Sequence, residues 1–215
     1  MNAMQENTSP GAVALSYPHR GLRVIACHWP APAELPQFCS CGDIACPTPA
    51  CHPIGTLTAG DGTADLGQLG RWWLAHPTAN LATITDERVG VIELHHPAKP
   101  DALLRALKDH HADQAPMFHA GQGVMYLLVK PDLGPDQSAL EIASHRASDI
   151  DRVVITPPGT LVLLPPSRHM TGRRIRWMSH LHHVERLPTA AHMLEILTGL
   201  RKNGVLNELL PMLAP

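Results

Sequence analysis

The densest chemistry in the chain lies between residues 39 and 52, in the order Cys39-x-Cys41-x4-Cys46-x4-Cys51-His52. Thiolate and imidazole donors at this spacing suit zinc, which takes four such ligands in a tetrahedron. A site closed by four protein ligands leaves no position for a reacting water, so Zn²⁺ here is expected to be structural. Cys39, Cys41, Cys46 and His52 are the expected ligands, and Cys51 could replace any one of them. Disulfide pairing is the weaker reading, because nothing in the first thirty residues marks export and the cytosol is reducing. Cys27 falls on a predicted strand and reads as a buried small hydrophobe.

A second group is basic. The segment from Arg168 to Arg186 holds Arg168, Arg173, Arg174, Arg176 and Arg186, with His169, His180, His182 and His183 and a single acid, Glu185. Such a run can face phosphates, or can be a solvated strand and loop. Trp72 and Trp73 could stack on bases. Their helical spacing with Leu66 and Leu69 instead places at least one in a core. His180-x-His182-His183 and Glu93-x-His95-His96 could each offer metal donors, but neither has a further ligand nearby in sequence. Gly121-x-Gly123 reads equally as a phosphate approach or as a turn before a strand.

These residues need elements to position them. The 215 residues are 44% hydrophobic with a formal net charge of −2, enough for a buried core and too neutral to coat nucleic acid by charge alone. No apolar run approaches the ~20 residues of a membrane span. Membrane, collagen-like and secreted disulfide-scaffold classes are excluded, and a cytoplasmic location is expected. A short helix is predicted over 12–20, stopped by Gly21, and an amphipathic helix over 65–76, ended by Pro77. A further helix is predicted over 100–111, and two around a break at Asn203-Gly204 in the tail. Strands are expected at 23–27, 81–85, 89–94, 124–129, 153–156, 161–164 and 175–178. The order of elements is α+β, with a mixed or mostly antiparallel sheet and flanking helices. Residues 28–62 form a Pro-, Cys- and Gly-rich loop too long to order without a fastener. The expected division is one domain over 1–188 and a helical extension over 189–215 that packs on it, whose leucines could also meet a protein partner.

Several pieces occur together in order: Gly21-Leu22-Arg23-Val24, CSCGDIAC leading to His52-Pro53, RWWLAHPTANLAT (71–83), GVIEL (90–94), GQGVMYLLV (121–129), and GTLVLLPPSRHMTG with Arg176-Trp177 downstream. In this order they resemble the N-terminal domain of bifunctional DNA primase/polymerases, the prim-pol branch of the archaeo-eukaryotic primase superfamily. The resemblance covers about residues 12–178. It implies a primase-type α+β fold whose central strand carries two acids, one residue apart, holding Mg²⁺ or Mn²⁺. Here that strand supplies Glu93 and then His95. The family's active-site histidine falls near Val124 or Met125, and its third acid near Val154 or Ile155, with Asp149 and Asp151 close in sequence. A neutral imidazole lowers the site's charge and suits softer metals than Mg²⁺. By the same resemblance Arg168, His169 and Arg173 follow the Pro-Pro-Ser turn near where nucleotide phosphates are expected. The leading expectation is a zinc-stapled primase/polymerase-like domain without nucleotidyl transfer, binding nucleotide, DNA or a protein partner. The alternatives are an active primase/polymerase with an atypical metal site at Glu93 and His95, and a protein-interaction module.

Overall fold

A computed structural model describes residues 9–32, 38–95, 100–110, 115–121, 123–132 and 153–202. The chain divides into two compact units, residues 1–85 with 158–176, and residues 86–157 with 177–215. The architecture is α+β, as the sequence predicts.

The first unit is built on a three-stranded sheet of order β1-β2-β7, formed by Val24–Cys27, Asn80–Ile84 and Leu161–Leu163. Both ladders are antiparallel, with Cys27 opposite Asn80 and Ala82 opposite Leu163. All four residues of β1 are buried, which is why the strand is continuously apolar rather than alternating. Helix α1 (Pro10–Ala14) packs on β2 and on α2 (Leu66–Ala75), and α2 packs on β1. Ser9 and Asp65 cap these helices, accepting the N–H groups of Ala12 and Gln68. A 3-10 turn, Pro18–Arg20, ends at Gly21, whose φ of 83° is the left-handed stop predicted for it.

Two sequence motifs find structural employment here. Trp73 is buried in the core and donates from Nε1 to the Ala79 carbonyl at 3.1 Å. Ser167 exchanges hydrogen bonds with Leu81, its Oγ accepting from the backbone N–H at 2.8 Å and donating to the carbonyl at 2.9 Å. The hydroxyl thereby continues the β2 pairing beyond the point where β7 ends. The preceding Pro165-Pro166 bond is cis, and the buried Tyr17 hydroxyl donates to the Pro165 carbonyl.

The second unit carries a five-stranded sheet of order β6-β3-β5-β4-β8. Its strands are β3 (Gly90–His95), β4 (Met117–Gly121), β5 (Val124–Val129), β6 (Val153–Ile155) and the two-residue β8 (Arg176–Trp177). The β3–β5, β3–β6 and β4–β5 ladders are antiparallel. One face buries Ile92, Leu94, Met117, Met125, Leu127 and Val129 against Leu103 and Leu107 of α3 (Pro100–Asp109) and Met193, Leu197 and Leu200 of α4 (Ala190–Lys202). The apolar side of α4 is therefore committed to this core. Residues 203–215 lie outside the described residues, as do Asp149 and Asp151. Strand β4 was not anticipated from the sequence, and β8 is shorter than the predicted 175–178.

Candidate functional site

The cysteine-rich loop closes as its spacing suggests. Its first limb runs beside the extension of β1: Ser40 N–H donates to the Trp29 carbonyl at 2.9 Å, and Ala31 N–H to the Phe38 carbonyl at 3.2 Å. The second limb returns on the other side, with His28 N–H donating to the His52 carbonyl at 2.8 Å and Ile54 N–H to the Ala26 carbonyl at 3.2 Å. One strand end thus gathers both halves of the loop. The Ser40 hydroxyl adds to this, lying 2.9 Å from His28 Nδ1 and accepting the Trp29 N–H at 3.1 Å.

The result is a four-atom cluster. The ligating atoms of Cys39, Cys41, Cys46 and His52 all lie within 4.8 Å of one another, and Cys39 Sγ is 3.3 Å from His52 Nε2. Ligands around a tetrahedral zinc stand about 3.5–3.8 Å apart, from bond lengths of about 2.0–2.3 Å. The donor set and its spacing therefore fit a metal ion. Cys51 is outside this group. Its largely buried side chain follows a turn in which its N–H donates to the Thr48 carbonyl at 3.1 Å.

The thiols differ in their electrostatics. Burial pushes the Cys39 thiol up, but N–H groups of Ala50 and Cys41 and the thiols of Cys41 and Cys46 outweigh it and leave it below the ordinary value. Cys46 is pushed up to about 11, first by burial and then by its Cys41 and Cys39 neighbours, despite the Thr48 N–H. Cys51 is pushed up to about 11 by burial. Cys27 is fully buried in β1 and raised further, by burial and then by Cys51, as expected of an inert core thiol. Beside the cluster, the His28 ring lies 4.4 Å from that of His52. Burial, followed by His52 and His76, lowers its pKa.

The basic segment forms a hairpin over 167–175. Ile175 N–H donates to the Ser167 carbonyl and His169 N–H to the Arg173 carbonyl, both at 2.8 Å, and Arg168 bridges Arg174. Its turn is closed by Gly172 N–H to the His169 carbonyl at 2.8 Å, with Gly172 at φ 78°. This accounts for the glycine in the S-x-H-x-x-G motif. His169 Nδ1 accepts the Thr171 N–H at 3.3 Å, and partial burial lowers its pKa. Arg168, Arg173, Arg174 and Arg176 are exposed, and Arg168 Nη1 donates to the Gly172 carbonyl at 3.0 Å. His180 and His182 are exposed, and His183 Nδ1 lies 3.7 Å from Glu185 Oε2. They form no three-donor group among the described residues.

In the second unit Glu93 sits mid-strand on β3, half-buried, and accepts from the Thr156 hydroxyl at 3.2 Å. Its cross-strand partners are Tyr126 on β5 and Val154 on β6. His95 pairs with Val124. Beyond Tyr126 the same transverse row continues through Phe118, in edge contact with Tyr126 at 5.3 Å and with Trp177 at 5.0 Å. Among the described residues no group of three metal donors forms around Glu93.

A two-sheet α+β chain with a cysteine–histidine loop beside one sheet and a strand-borne glutamate on the other is the class these features define. Comparison with known families gives the same answer: the model for the N-terminal domain of bifunctional DNA primase/polymerases, Prim-Pol, matches residues 14–190, and the chain belongs to that family. Comparison with curated proteins finds no match.

Asn80 lies within the 71–83 motif, where no local signal marks its role. Buried at 2% exposure, it bonds to Ala50 in the cysteine loop and to Arg168 in the hairpin.

Proposed function

We propose that this chain is a zinc-stapled Prim-Pol domain that no longer transfers nucleotides and acts by binding nucleotide or nucleic acid through the Arg168–Arg176 segment. The observation that carries the reading is the register around Glu93. The family resemblance calls for an acid near Val154 or Ile155 and a histidine near Val124 or Met125, and in the register Val154 stands opposite Glu93 and Val124 opposite His95. Two-metal phosphoryl transfer needs several charged oxygens to hold hard cations. A valine offers none, and a histidine in place of the second acid offers a softer, neutral donor. The hairpin, by contrast, keeps exposed arginines suited to phosphate oxygens.

Two assays separate this reading from an active enzyme. Primer synthesis and extension are followed with Mg²⁺, Mn²⁺ or Zn²⁺, beside Glu93→Ala; no product is expected. Metal-dependent product that disappears in Glu93→Ala would defeat the proposal. Binding of single-stranded DNA is then measured against salt. Arg173→Ala with Arg174→Ala should weaken it and flatten the log–log salt slope by about 1.4, at about 0.7 per phosphate contact. An unchanged slope would take the hairpin out of the interface.

A further inference from the structure

The amide of Asn80, at the start of β2, holds together two segments that are distant in sequence. Nδ2 donates to the Ala50 carbonyl at 2.9 Å and to the Arg168 carbonyl at 2.8 Å. Oδ1 accepts the Arg168 N–H at 2.8 Å. Both amide hydrogens are used, and the group is almost wholly out of water. Ala50 is equally buried, and its own N–H donates to Cys39 Sγ at 3.3 Å. A series of bonds therefore runs from the sulfur of an expected metal ligand, through the N–H and carbonyl on either side of the Ala50 Cα and the Asn80 amide, to the backbone of the basic hairpin.

We infer that Asn80 is a positioning residue that links metal occupancy of the cysteine cluster to the setting of the Arg168–Arg174 hairpin, so that metal and a phosphate-bearing ligand bind this unit with positive cooperativity. The inference rests on reading the cluster as a metal site and the hairpin as the phosphate-binding element.

Backbone geometry supplies the two states. Ala50 has φ 62°, a left-handed conformation that a non-glycine residue holds when its surroundings impose it. It lies within the ligand run, two residues before His52, so a metal held by Cys39, Cys41, Cys46 and His52 fixes where its carbonyl points. Without the metal, closure of this run rests on its turns and on a few backbone bonds to the β1 extension at its ends, and Ala50, which lies between them, can relax to negative φ. Its carbonyl then leaves Nδ2, and a buried amide hydrogen without an acceptor is costly. The relief open to Asn80 is rotation of its side chain, which also releases the two bonds to Arg168. An apolar side chain of the same size would fill this space without transmitting anything, because packing lacks the directionality of these bonds. Linkage requires reciprocity: the factor by which metal tightens the ligand is the factor by which ligand tightens the metal.

The test uses the full chain, zinc-loaded or chelated, as wild type and as Asn80→Asp. That substitution keeps an acceptor for the Arg168 N–H and loses both donations. Hydrogen exchange of the 168–175 amides is read relative to the β1–β2 ladder amides of the same unit. In wild type, chelation should speed hairpin exchange about fivefold or more over the ladder, a typical coupling size. In Asn80→Asp the two metal states should exchange alike. Equal hairpin rates in both states of wild type overturn the inference, and that arm needs no variant to fold. A rise shared equally by the ladder, or a metal effect undiminished in Asn80→Asp, also overturns it. The second arm uses a fluorescein-labelled single-stranded oligonucleotide, whose Kd should rise about five- to tenfold on chelation in wild type and stay level in the variant. If zinc-loaded wild type binds no oligonucleotide, the binding role of the hairpin is lost and the cooperativity with it, while the exchange arm still decides the structural link.

Discussion

The Ala50 N–H approaches the Cys39 sulfur to 3.3 Å, and a hydrogen bond of this kind favours thiolate over thiol. Cys39 is thereby prepared as a metal ligand, whereas Cys51 is kept protonated by burial, with its thiol pushed up to about 11, and lies outside the donor group. Cys39→Ser should cut bound zinc from about one equivalent per chain to about a tenth or less, and Cys51→Ser should leave about one. Elemental analysis of protein purified without chelators checks both. Loss of metal in Cys51→Ser would mean that a different four residues hold it. The donor types and spacing named this cluster from the sequence, but they could not dismiss Cys51, which is adjacent to His52. The Thr48–Cys51 turn and the left-handed Ala50 set it apart from the four grouped donors, and alanine carries no sequence signal for that conformation. Asn80 was unreadable for a related reason. Its partners stand 30 and 88 positions away, and nothing local announces them.

Helices α1 and α2 show how tightly one residue type can be set by a neighbouring element. A Cβ added at Gly11 would meet the Trp73 Cβ at 2.9 Å and Cγ at 3.2 Å. The Trp73 ring has little room to yield, being buried and bonded to the Ala79 carbonyl. In an open helix Gly→Ala gains about 0.5–1 kcal/mol, but overpacking a filled core costs about 1–3 kcal/mol. Gly11→Ala should therefore lower unfolding stability by about 1 kcal/mol. Gly70→Ala in α2 meets nothing within 4 Å and should raise stability by about 0.5 kcal/mol or more. Urea titration of the two side by side decides it, and a gain in both would show that the α1–α2 contact is loose. Periodicity revealed α2, α3 and the apolar runs of β1, β2, β3 and β5 in the sequence. It could not reveal β4, where Met117 and Phe118 are buried in succession and the strand is only five residues long. Nor could it give the order β6-β3-β5-β4-β8, which depends on pairings between distant segments. That register placed Val154 and Tyr126 beside Glu93.

At the scale of the molecule, the chain passes between its two units three times, at 85–86, 157–158 and 176–177. No composition shift marks these crossings, because each unit is assembled from separate stretches that complete one sheet. The proposed metal site lies wholly in the first unit, whereas the core formed by α3, α4 and the five-stranded sheet belongs to the second. Metal removal should therefore act on the first unit. Trp29, Trp72 and Trp73 belong to it and Trp177 to the second, so in a Trp177→Phe background tryptophan fluorescence follows the first unit alone. A ligand held at a thousand times its Kd stabilises by about 4 kcal/mol, and for a chain of this length that converts to about 8–16 °C in Tm. Chelation should lower the fluorescence midpoint by that amount, and added zinc should restore it. The loop gives the effect its physical basis, since residues 38–57 contain no helix or ladder strand and are held to β1 by a few backbone bonds. A cross-link among Cys39, Cys41, Cys46 and His52 removes much of the freedom such a segment would otherwise regain on unfolding. A midpoint that does not move on chelation would mean that those backbone bonds suffice, and that the cluster is not a staple.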